Sequence, residues 1–213
     1  MESELVGSGA GSGEKRGRRR LSRFPIRLVA VGASTGGPSA IQIILRDLPE
    51  NFPVPIVVVQ HISPDFVLPL VEWLRHSVAL KLEIASDGML ARPGWVYVAP
   101  GDFHLTVGRR NHLALNQSPP INACRPSIDP LFISVAEIYG ASAAGVLLTG
   151  MGADGALGLS RLYERGGRTI VQDEESAVIF GMPKAAIEKR AAEIVLPLEK
   201  IGQTLVRWVE ERP

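Results

Sequence analysis

Cysteine is almost absent from this sequence. Cys124 is the only one, which excludes an internal disulfide and any multi-cysteine zinc site and suits a reducing cytoplasm. Long apolar runs are also missing. No segment reaches the 18 or so uninterrupted apolar residues of a spanning helix, so no membrane insertion is expected. The N-terminus has no apolar stretch of the kind found in secretory signals. Charge of one sign is scarce as well, with a formal net charge of +1. Residues 1–23 hold six Lys/Arg against three Glu, which leaves 17 basic and 19 acidic residues from Phe24 onward. A mildly acidic body argues against nucleic acid as the ligand.

What is present suits one α/β domain of ordinary composition: 213 residues, 46% apolar and 21% charged. The Gly/Ser/Arg-rich stretch over residues 1–24 reads as a disordered leader, since it cannot bury enough surface to order itself. Residues 25–213 read as the folded domain. Short apolar runs alternate there with helical stretches. Strands are expected near 27–32, 54–60, 81–85, 94–99, 143–149 and 168–172, with a brief edge segment at "EIVLP". The run at 103–116 alternates about Gly108-Arg109-Arg110-Asn111 and predicts an antiparallel hairpin. Helices are expected near 38–48, 65–77, 128–139, 153–165, 182–190 and 198–211. In the second of these Phe66, Leu70, Trp73 and Leu74 form one stripe, and in the last Ile201, Leu205 and Trp208 do. The pattern implies a doubly wound, mostly parallel sheet with flanking helices, whose ligands bind beyond the carboxyl ends of the strands.

Three polar groups fall at such ends. "RLVAV" runs into Gly32-Ala33-Ser34-Thr35-Gly36-Gly37, "IVVVQ" into His61, and "GVLLT" into Gly150-Met151-Gly152-Ala153-Asp154. A serine, an imidazole and a carboxylate make up the parts of nucleophilic acyl transfer. The hydroxyl needs a base to take its proton, and the base needs a carboxylate to hold its tautomer. Each signal alone is weak. Tight turns would explain the glycines, and Asp154 could cap the helix that follows it. Asp102 and Asp173 also follow strand-like runs, so spacing does not choose among the three acids. His76, His104 and His112 fall within a helix or the hairpin and read as structural. Competing phosphate sites fare worse. Ser34 interrupts the dinucleotide pattern G-x-G-x-x-G, and no Gly-Lys-Ser/Thr follows to make a P-loop. No histidine follows His112, so the order Ser, His, Asp is not that of an α/β-hydrolase.

With these residues in view, the chain resembles the catalytic domain of the chemoreceptor protein-glutamate methylesterase (CheB) family over residues 26–209. The resemblance lies in "GASTGGP" (32–38), "QH" (60–61), "VYVAPGD" (96–102), "RPSID" (125–129), "LLTGMGADGA" (147–156) and "QDEESAVIFGMPKAAI" (172–187). It implies a Ser34-His61-Asp154 triad, with Thr35 as a side-chain neighbour of the base and Met151 as a backbone oxyanion donor. It also implies a serine-type ester hydrolase of the cytoplasm that uses neither metal nor organic cofactor. The implied substrates are γ-glutamyl methyl esters on cytoplasmic helices of chemoreceptors, with glutamine deamidation as a second activity and a separate regulatory protein as a further partner. The family's usual architecture sets a phosphorylatable receiver domain ahead of this one. Only about 25 residues precede the first strand here, so activity without an attached receiver is the expectation. A catalytically idle receptor-binding adaptor and a small-molecule esterase are the alternatives.

Overall fold

The computed structural model describes residues 24–211, so the expected leader lies, apart from Phe24, outside the described residues. Seven parallel strands form one sheet: β1 Leu28–Ala33, β2 Ile56–Gln60, β3 Lys81–Ile84, β4 Trp95–Val98, β7 Ala143–Leu147, β8 Arg168–Gln172 and β9 Ile194–Leu196. Their order is β3-β4-β2-β1-β7-β8-β9. The expected hairpin is β5 His104–Val107 with β6 Leu113–Asn116, paired antiparallel and apart from the main sheet. Among the described residues six α-helices flank the main sheet: α1 Gly37–Arg46, α2 Val67–Arg75, α3 Ile128–Ile138, α4 Ala156–Glu164, α5 Gly181–Glu188 and α6 Leu198–Glu210. The doubly wound, mostly parallel sheet expected from the alternating pattern is what the chain forms.

Strands β1, β2 and β7 are buried throughout, because helices cover both faces, and this explains their continuous apolar runs. Successive side chains serve opposite layers. Val29, Val31, Ile56 and Val58 pack with Ile41, Val71, Leu74, Ile201, Leu205 and Trp208 of α1, α2 and α6. Leu28, Ala30, Val57 and Val59 pack with Ile128, Phe132, Leu159 and Met182 of α3, α4 and α5. Burying each large side chain contributes about 1.5–3 kcal/mol.

The predicted stripe of α2 is corrected. Its buried residues are Val67, Leu70, Val71 and Leu74, while Phe66 and Trp73 are exposed. A 3-10 turn over Pro64–Phe66 precedes the helix. Phe66 therefore lies outside the 3.6-residue period that the stripe assumed. The stripe of α6 is as expected, with Ile201, Leu205 and Trp208 buried.

The strand order reverses about β1. The chain moves from β1 to β2 on one side, and later enters β7 on the other. In a doubly wound sheet this switch point opens a crevice beyond the strand ends. Ser34, His61 and the loop of Asp154 all lie there.

Candidate functional site

Ser34 and His61 are neighbours by register. Ala33 is paired with Gln60 in the parallel β1–β2 ladder, and the His61 N–H donates to the Ala33 carbonyl at 2.9 Å. The next residue on each strand is thus carried out of the sheet side by side, about one strand spacing apart. The buried Gln60 side chain braces both, its Nε2 donating to the Ser34 and His61 carbonyls at 2.9 Å each. Two glycines make room. A Cβ on Gly37 would collide with Gln60 Oε1, and one on Gly150 would lie 2.6 Å from the Ser34 Cβ.

His61 Nε2 donates to Asp154 Oδ2 at 2.8 Å, across 93 residues of sequence. Asp154 is 2% exposed and is not the cap of the helix that follows it. Gly155, at φ 83°, takes that cap position and turns the chain so that the carboxylate meets the start of α3 instead. There it accepts from the Ile128 N–H at 2.7 Å, the Ser127 hydroxyl at 2.6 Å and the Asn122 amide at 2.9 Å. A helix N-terminus has unpaired N–H groups and a partial positive charge, so a carboxylate is favoured there. Burial pushes the Asp154 carboxyl up. The hydrogen bonds from His61, Ser127, Ile128 and Asn122 outweigh burial and hold it at about 2.

The neighbouring helix is served reciprocally. Asp129, in the first turn of α3, accepts from the Gly158 N–H in the first turn of α4 at 2.8 Å. Asn122 Nδ2 bridges Asp129 Oδ2 at 3.0 Å and Asp154 Oδ1 at 2.9 Å. Burial, reinforced by the Asp154 charge, raises the Asp129 carboxyl despite those donors. His104 is buried and structural, as read from the sequence. Its Nδ1 accepts from the Ser127 N–H at 3.1 Å and its Nε2 donates to the Pro119 carbonyl at 3.2 Å. It thereby steadies the residue whose hydroxyl reaches Asp154.

Because an ionised carboxylate only accepts, the Nε2 that faces Asp154 carries the imidazole proton. The lone pair of neutral His61 is therefore on Nδ1, the reverse of the serine-protease arrangement, in which Nδ1 faces the acid. The other two acids lie elsewhere. Asp173 accepts from Ser176 N–H and hydroxyl, and Asp102 sits in the turn after β4 at φ 63°. Of the two lesser candidates, Thr35 is exposed and offers its carbonyl to the Thr149 hydroxyl at 2.9 Å. Met151 is 72% exposed, and its N–H meets no acceptor among the described residues.

Sequence reasoning missed Gln60, Asn122, Ser127 and Cys124 as site residues. Ile121 and Cys124 exchange backbone hydrogen bonds across a tight turn in which Asn122 and Ala123 both have positive φ. That turn brings the Cys124 Sγ to 3.7 Å from His61 Nδ1. One ligand atom each of His61, Cys124 and Asp154 lies within 4.8 Å of the others. Nothing local in "NAC" signals this, because the histidine is 63 residues away.

Residues 29–205 match the family model described as CheB methylesterase. The chain is 47% identical over 186 residues to the protein-glutamate methylesterase FrzG of Myxococcus xanthus, covering 87% of this chain and 56% of that one. It is 48% identical over 188 residues to a protein-glutamate methylesterase/protein-glutamine glutaminase of Nitrosospira multiformis, covering 88% and 53%. The chain thus spans about half the length of the curated relatives it matches. The crystal structure of the Thermotoga maritima CheB methylesterase catalytic domain superposes with a TM-score of 0.82 at 43% identity, covering 85% of this chain and 98% of that one.

Proposed function

The chain belongs to the CheB methylesterase family, and from that premise we propose that it hydrolyses γ-glutamyl methyl esters on the cytoplasmic helices of chemoreceptors. Residues 25–213 are the catalytic unit of this reading. Ser34 is the nucleophile, His61 the base and Asp154 the residue that orients it. The observation that carries the proposal is the 2.8 Å bond from His61 to a buried carboxylate, on a histidine paired in register beside Ser34.

The chemistry follows from the proton positions. The Ser34 hydroxyl attacks the ester carbonyl and gives its proton to His61 Nδ1, while Nε2–H stays donated to Asp154. The imidazolium formed is stabilised by the carboxylate charge. The oxyanion is met by backbone N–H groups, that of Met151 foremost, and such donors need no reorganisation as charge develops. His61 then protonates the departing methoxide, releasing methanol. Water, deprotonated by the same Nδ1, splits the glutamyl-serine ester and restores Ser34. A glutamine side chain in place of the ester would release ammonia by the same steps, giving the second activity.

An open site supports a macromolecular substrate over a small ester. Met151 is 72% exposed, and Val178, which packs against Gly36, is 66% exposed. Both lie beside the Ser34 loop and offer apolar contacts to a helix laid across it. Among the described residues no helix is long and apolar enough to cross a membrane. The deciding experiment measures methanol release from methylated receptor fragments by the wild type and by Ser34→Ala. Release by the wild type alone is expected. Equal release by both would overturn the mechanism, and release by neither would favour an adaptor.

A further inference from the structure

The proposed chemistry of the site leaves one group unexplained. Cys124 is partly buried and touches the base, not the nucleophile. Its sulfur lies 3.7 Å from Nδ1, the nitrogen that holds the lone pair of a neutral imidazole whose Nε2–H faces Asp154. Two ligands at tetrahedral angles, with Zn–S of about 2.3 Å and Zn–N of about 2.0–2.1 Å, stand about 3.6 Å apart. The Cys124–His61 pair therefore already spans one edge of a zinc tetrahedron. The other imidazole nitrogen donates to a carboxylate, which is the outer-shell arrangement that fixes tautomer and ring orientation in zinc-binding histidines. Asp154 is not needed as a ligand, because both its oxygens are occupied by His61, Ser127, Asn122 and Ile128 donors. Its charge nevertheless favours a cation nearby.

We propose that Cys124 Sγ and His61 Nδ1 form a binding site for zinc or a similar soft divalent ion, and that filling it reversibly switches off the esterase. The thiol loses its proton to solvent as sulfur donates to the metal. Nδ1 donates its lone pair to the same ion, and water takes the remaining positions. With its lone pair engaged, His61 can no longer accept the Ser34 proton. Only this last consequence rests on the proposed catalytic role of His61; the binding itself does not.

The test uses cobalt(II) as the probe, because a cobalt–thiolate bond gives a near-ultraviolet charge-transfer band that reports the sulfur directly. The wild-type chain should develop the band, and added zinc should abolish it. Cys124→Ala and Cys124→Ser should show none, with circular dichroism confirming their folds. In a parallel assay zinc should inhibit wild-type ester hydrolysis and a chelator should restore it. Both Cys124 variants, each compared with its own zinc-free rate, should tolerate the same zinc. Absence of the band in wild type would overturn the site, and equal zinc inhibition of the Cys124 variants would overturn the switch. If wild type hydrolyses no receptor ester, the proposed function fails while the cobalt spectrum still decides the metal site.

Discussion

Replacing Asp154 by Asn tests both the proposed base and the reciprocal capping of α3 and α4. The carboxylate accepts from four donors within 2.9 Å: His61 Nε2, Ser127 Oγ, Ile128 N–H and Asn122 Nδ2. An amide has one oxygen and one NH2, so one side of it must present a donor to donors. If the NH2 takes the Oδ2 position it opposes both the Ile128 N–H and His61. The imidazole then shifts its proton to Nδ1, where the lone pair for Ser34 is needed. The analogous loss in a serine protease lowers kcat roughly 10⁴-fold, and a drop of similar order is expected here. If the NH2 takes the Oδ1 position it opposes Asn122, whose own amide is held by Asp129. Stability should fall too. A carboxyl displaced from 3.8 to about 2 corresponds to roughly 2 kcal/mol of native-state preference for the charged form. For a chain of this size that lowers Tm by roughly 4–8 °C. The assay is methanol release from a methylated receptor fragment, run well below the variant's unfolding transition. A folded Asp154→Asn variant that turns over within about tenfold of wild type would refute both the tautomer argument and the choice of acid.

Ser34→Ala and His61→Ala should each lower turnover at least roughly 10³-fold, and the double variant little further, since triad members act as a unit. Wild-type stability should carry an acid-side slope from Asp154. Its folded pKa of about 2 lies below the unfolded 3.8, so its contribution is complete above the unfolded value and disappears as pH falls through about 2. Chemical denaturation across that range should show a steeper loss of stability with falling pH in wild type than in Asp154→Asn. Asn122→Ala removes the amide between two buried carboxylates and should cost roughly 1.5–3 kcal/mol in the same measurement. Gly150→Ala would set a methyl 2.6 Å from the Ser34 Cβ and against Met182. It should destabilise by about 1–3 kcal/mol and lower kcat more than it changes KM; normal kcat would show that Ser34 does not need that seat.

Much of this protein is legible from local pattern. Apolar β-branched runs bounded by Gly, Pro or polar residues mark β1, β2, β7 and β8 to within a residue or two. Strand–helix alternation then dictates a doubly wound sheet, and that topology alone sends Ser34, His61 and Asp154 to one edge. Local period serves α6 but misleads at α2. It places Phe66 and Trp73 in the buried stripe of α2, yet a 3-10 turn ends before the helix begins and both are exposed. Local spacing also offers Asp154 as a cap for α4, whereas it sits at the N-terminus of α3. Which nitrogen of His61 carries the proton, and that Asn122, Ser127 and Cys124 meet the site at all, was decided only by the packing of α3 against α4 and the turn at 121–124. The physical reason is one of range. Hydrophobic period and turn chemistry act over a few residues and are written in the chain directly. The partners of a buried carboxylate are chosen by the close packing of segments that lie 26 to 93 residues away.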